Sequence, residues 1–124
     1  MTQEQSKRAA YFHRSALKIA NEAQENFERG QFDRVIRKSQ EAVELLFKSK
    51  LLQKGREPAK THDLRDLQQA LGESLSVNAL DLVFLSEERI PSFYAGMDFI
   101  PDEEYTREDA ERCLNVLRTL SLVG

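Results

Sequence analysis

Apolar residues recur at spacings of three and four along two adjacent stretches of about equal length. From about Lys7 to Arg29, Phe12, Ala16, Ile19, Ala20, Ala23 and Phe27 fall on one face of a helix. From Phe32 or Asp33 to Lys54 the stripe is Val35, Ile36, Ser39, Ala42, Val43 and Leu46, widened by Leu45, Phe47 and Leu51. Gly30 and Gly55 stand where the two patterns stop, as residues that end a helix. At 1.5 Å per residue each rod is about 33 Å long. Rods of equal length joined by a very short link are antiparallel neighbours.

Beyond Gly55 the pattern shortens. Arg56 to Lys60 is a polar loop, and Pro58 disfavours helix at Glu57. Thr61 is placed as the N-cap of a third helix, with Asp63 in the first turn suiting the helix dipole. Leu64, Leu67 and Leu71 are its apolar face, and Gly72 to Asn78 breaks it. A fourth helix starts near Asn78, carries Leu80, Val83, Phe84 and Glu87, and ends or kinks near Pro91. Ser92 to Tyr105, with Gly96 and Pro101, reads as a loop longer than most connections. Thr106 caps the last helix, with Asp109 completing an approximate capping box. Ala110, Cys113, Leu114, Leu117 and Leu120 form its buried face.

Composition agrees with an all-α chain. Only five glycines and three prolines occur, and β-branched residues are few. The 124 residues are read as a single helical domain, 1–124, large enough to bury a core without disulfides or metal. A net charge of −3 gives no global basic footprint for nucleic acid, though it leaves room for a local patch. The one cysteine, Cys113, makes no internal disulfide and reads as a reduced, buried thiol. No apolar run of about 18 residues occurs, so no membrane span is expected. Met1 to Arg8 is polar and unlike a secretory signal, and the expected location is the cytoplasm.

Several chemistries lack their residues. Glu22, Glu25 and Glu28, and the acidic run 102–104, do not stand at metal-ligand spacing from a histidine, so no metal is expected. There is no glycine-rich phosphate loop and no serine with histidine and acid in an interpretable frame, so no cofactor is expected either. The loop Lys60-Thr61-His62-Asp63-Leu64 holds the only histidine outside the first helix. At a helix start, His62 is a candidate for an anion or a partner carboxylate. The preferred reading is structural, with a ring nitrogen bonded to a backbone carbonyl. Lys60 beside it is a candidate phosphate contact. Glu44 and Lys48 form an i,i+4 pair of favourable polarity that supports the helix, and Glu41 on the same side makes a polar groove conceivable. Arg34, Arg37 and Lys38 form a basic turn, read as solvated. Phe93, Tyr94, Met97 and Phe99 cluster in the long loop and are the candidate interface.

Taken in order, the segments "FERGQFD", "SQEAVELLFKSKLLQKG" (39–55), "KTHDL" (60–64), "FYAG" (93–96) and "YTREDAERCLNVL" (105–117) resemble the HEPN family, the higher eukaryotes and prokaryotes nucleotide-binding domain. "KTHDL" after a helix ending in "LLQKG" is the most specific piece. The resemblance implies an up-and-down four-helix bundle with an additional short helix, in a homodimer. Members accompany a small nucleotidyltransferase or act as metal-independent ribonucleases in toxin–antitoxin and defence systems. The nuclease members use an arginine, four to six residues, then a histidine.

At the corresponding place this chain has Arg89 followed five residues later by Tyr94. A phenol with pKa near 10 is a poor general base at neutral pH, where imidazole near 6.5 is well matched. Arg8 with His13, and Arg56 with His62, fit the loose spacing by chance among eleven arginines. The expectation is therefore a non-catalytic module that homodimerises and docks on a nucleotidyltransferase, helping to bind nucleotide or RNA through Lys48, Lys60, His62 and Arg89. The rivals are a ribonuclease of altered chemistry using Arg89 and Tyr94, and a bundle that binds nucleotide alone at the His62 end.

Overall fold

A computed structural model describes residues 1–72, 81, 84, 85 and 105–124. Among them four helices are described from end to end, and no strand occurs: α1 Gln3–Glu28, α2 Phe32–Gln53, α3 Leu64–Leu71 and α4 Arg107–Thr119. Asp81, Phe84 and Leu85 are also helical, where the fourth helix was expected. The all-α reading holds.

α1 starts four residues before the expected Lys7. Thr2 caps it: Gln5 N donates to Thr2 Oγ1 at 3.0 Å, and Thr2 N donates to Gln5 Oε1 at 3.0 Å. This capping box satisfies two of the donors that a helix start leaves open. The first turn is polar, so apolar periodicity gave no sign of it. Gly30 and Gly55 end α1 and α2 with φ of 71° and 73°, the left-handed region that glycine enters without a Cβ clash.

The expected N-cap of α3 needs correction. Asp63, not Thr61, holds that place, its carboxylate accepting from Arg65 N at 2.9 Å. Thr61 acts one step earlier, accepting from Asp63 N at 3.1 Å. A carboxylate at the cap also matches the positive end of the helix dipole. Thr106 caps α4 in a full capping box with Asp109, as expected.

α1 and α2 run antiparallel. Ser49 Oγ on α2 donates to the Ala9 carbonyl near the start of α1 at 2.7 Å, while Lys38 near the start of α2 meets Glu22 near the end of α1 at 2.8 Å. The buried residues of α1 are Ala9, Ala16, Ala20 and Ala23, all alanines. Phe12, expected on that face, is only half-buried and tilts against Tyr11. Alanine has no long side chain to hold the helices apart, so α1 lies close on α2. Twelve of the 22 residues of α2 are buried, which makes it the central rod. Leu64, Leu67 and Leu71 of α3 and Ala110, Cys113, Leu114, Val116 and Leu117 of α4 complete one apolar core with Ile36, Val43, Phe47 and Leu51. Cys113 is buried and in no disulfide, as read from its pattern. Leu120 caps the end of α4 and is only partly buried.

Cations pin the ends. Lys54 Nζ donates to the Leu71 carbonyl at 3.1 Å and Arg56 Nη1 to the Ala70 carbonyl at 2.9 Å, so two open acceptors at the end of α3 are satisfied. Arg8 of α1 holds Glu57 of the following loop at 2.5 Å. Arg112 of α4 pairs with Asp81 and lies over the Phe84 ring. Among the described residues no helix is long and apolar enough to cross a membrane.

Candidate functional site

Residues one helical turn apart share a face, and on α2 Gln40, Glu44 and Lys48 stand at i, i+4 and i+8. This row faces the loop that leads into α3. Gln40 and Glu44 are buried, and the Lys48 side chain is 16% exposed. The loop supplies His62, whose side chain remains 58% exposed.

The four residues form one network centred on the Glu44 carboxylate. Lys48 Nζ donates to Oε2 at 2.9 Å. Gln40 Nε2 donates to Oε1 at 3.1 Å, and His62 Nδ1 lies 2.9 Å from the same oxygen. Gln40 Nε2 also reaches the His62 backbone carbonyl at 3.3 Å. Burial pushes the Glu44 carboxyl up, but hydrogen bonds from Lys48 and His62, the charge of Lys48 and the Gln40 amide outweigh it and hold the group below the usual carboxylate range. Glu44 is therefore ionised at neutral pH. An ionised carboxylate only accepts, so His62 Nδ1 carries a hydrogen. In the neutral ring Nε2 is then an acceptor, on a side chain more than half in solvent. Chemically this is a carboxylate-oriented imidazole at a surface, braced by an ammonium and an amide.

The structure brings two of the expected ligand groups, Lys48 and His62, onto one carboxylate. Lys60 is exposed two residues before His62, outside the network. Arg89, Phe93, Tyr94, Met97 and Phe99 lie outside the described residues. Two expectations change here. His62 bonds a carboxylate rather than a backbone carbonyl, because the i,i+4 row places Glu44 beside the loop. The third member of the groove is Gln40, not Glu41, which sits one residue further round the helix and is half-buried. The basic turn of α2 is also more than a solvated face, since Lys38 bridges to α1.

Gln40 was missed by sequence reasoning. Its signal was present: buried polar residues at i and i+4 interrupt an otherwise apolar rod, and such groups need partners. Neither chance arginine–histidine pair has its guanidinium free. Arg56 holds the Ala70 carbonyl and Arg8 holds Glu57, while His13 is exposed on α1. No group of three or more His, Cys, Asp or Glu able to hold a metal ion occurs among the described residues.

Comparison with curated proteins and with solved structures yields no match. A family model, described as the HEPN domain, matches residues 9–122. The match runs from the first alanine of the α1 seam, through the Glu44–His62 network, to the end of α4, and on that extent the chain belongs to the HEPN domain family.

Proposed function

We propose that this chain is a non-catalytic HEPN-type interaction module. It forms a homodimer and serves a small nucleotidyltransferase, or a toxin–antitoxin or defence system, helping to bind nucleotide or RNA. One observation carries the non-catalytic part: both guanidiniums that fit the nuclease spacing, and the His62 imidazole, have separate structural partners, while His13 stands exposed on α1 beside an Arg8 already engaged by Glu57. His62 Nδ1 is spent on Glu44, Arg56 on the Ala70 carbonyl and Arg8 on Glu57. Metal-free RNA cleavage needs a base for the 2′-hydroxyl and a cation for the phosphate on the same ligand. The Arg89–Tyr94 spacing offers the cation with a phenol in place of the base. The apolar cluster Phe93, Tyr94, Met97 and Phe99 is the proposed contact between copies or with the partner.

A second reading has its own support. The exposed His62 ring presents an acceptor beside Lys60, which suits a nucleotide bound by the chain alone.

Light scattering, calorimetric titration with ATP and incubation with RNA test these readings together. The expected result is a dimer mass with intact RNA. ATP binding by the purified chain that disappears in His62→Ala favours the second reading. RNA cleavage that Arg89→Ala abolishes without changing the helical circular dichroism overturns the non-catalytic one.

A further inference from the structure

Charge is unevenly placed along this chain. The stretch Gln5 to Asn21 holds Lys7, Arg8, Arg14 and Lys18 and not one of the 21 acidic residues of a protein whose net charge is −3. The stretch lies within α1, whose inner face is spent on the alanine seam with α2. Lys7, Tyr11, Arg14 and Lys18 stand at i, i+4, i+7 and i+11, within one 60° sector at 100° per residue. All four are exposed, and Tyr11 is 58% exposed.

Lys7, Arg14 and Lys18 hold no hydrogen bond or ion pair among the described residues. The acids near the row are otherwise engaged or lie at its ends. Glu57 is on Arg8, Glu22 is on Lys38, Glu25 accepts from Asn21, and Glu4 sits one turn before the row, 4.0 Å from Arg8. The result is a track about 16 Å long, three unpaired cations with one phenol ring between them.

We propose that this outer face of α1 binds a single-stranded polynucleotide. Lys7, Arg14 and Lys18 meet successive phosphates, and Tyr11 stacks on an unpaired base. Cations that neutralise phosphates release counterions, and an aromatic between them takes any base through its π-face. Tyr11 is already braced by Phe12, with ring centroids 5.8 Å apart, so little freedom is lost when a base stacks on it. An acidic protein surface would use the cations but has no call on a stacking ring. The proposal deepens the RNA part of the reading above and names its surface. It is separate from the dimer and the nucleotidyltransferase, so either can fail alone.

The test is fluorescence anisotropy of labelled twelve-nucleotide U and dT strands with the full chain. Three phosphate contacts on a single strand give a log–log salt slope near −2, an affinity loss of about 20-fold from 50 to 200 mM salt. Tyr11→Ala is expected to weaken binding about fivefold or more. The triple variant Lys7→Glu, Arg14→Glu, Lys18→Glu is expected to abolish it. These side chains point to solvent, so circular dichroism and dimer mass should not change. Tighter binding of U than of dT names RNA as the strand; equal binding supports a strand read through phosphate and base alone.

Three outcomes overturn the proposal. They are no binding at 50 mM salt, a triple variant that binds like the parent, and a polyglutamate or duplex of equal charge that binds as tightly with no effect of Tyr11→Ala. The last would give the surface to an acidic protein or to plain charge attraction.

Discussion

The two flanks of α2 bury opposite kinds of chemistry. Toward α1 the seam is dry and made of small groups: Ala16, Ala20 and Ala23 are fully buried in one cluster with Val35, Ala42 and Val43. Toward the loop before α3 the same helix buries an ionised carboxylate, held by Lys48, Gln40 and His62. Even the polar atoms differ. The Ser39 hydroxyl is buried without a hydrogen-bond partner, whereas both Glu44 oxygens are occupied. A neutral hydroxyl without a partner is a modest cost, but an unpaired buried charge is several times larger. The dry flank depends on size and shape. The polar flank depends on every partner being present, and it fixes where the loop bearing His62 enters α3.

Removing packing should have the largest effect. Leu46→Ala, in the apolar core, should cost about 2–5 kcal/mol in urea unfolding. A cost near zero would mean that the helix is rotated from the face described.

Glu44→Gln comes next, at about 1–3 kcal/mol, because Lys48 loses its counter-charge while its side chain is mostly buried. The folded-state pKa of Glu44 lies below its unfolded value. Its stabilisation is therefore complete above the ordinary carboxylate range and is lost as pH falls through the folded-state value. The parent should lose stability in that acid window, and Glu44→Gln should flatten that part of the curve. Parallel curves would show that the polar flank is not an ionised site.

His62→Ala should be the mildest change, under about 1 kcal/mol by melting temperature, because the ring is more than half exposed and its contribution is screened. A loss as large as that of Glu44→Gln would make the imidazole, rather than Lys48, the main partner of the carboxylate.

Much of the fold was legible in residue spacing. The 3.6-residue period located α2, α3 and α4, Gly30 and Gly55 marked the ends of the two rods, and Thr106 with Asp109 marked the start of α4. Where polar side chains decide a boundary, the reading was weaker. Thr2 and Gln5 start α1 with no apolar residue to betray it, and Thr61 and Asp63 are both good caps, so only local geometry chose between them. Of the candidate site, the Glu44–Lys48 pair was legible as a helix pair. His62 was legible as a residue of interest, but its partner was not, since 18 positions separate it from Glu44.

By itself the sequence determined what local periodicity and local caps determine: helices, their order, their apolar faces and the antiparallel pairing of the first two. These follow from contacts three or four residues apart and from turns that glycine permits. The tertiary structure alone decided which polar groups meet. It set Gln40 and Glu44 against the His62 loop, and Arg8 and Arg56 on separate acceptors. The alanine seam turned the row Lys7, Tyr11, Arg14 and Lys18 outward. The physical reason is that burial and pairing belong to the folded chain, where residues far apart in sequence share one dry space and every buried charge has to find its partner.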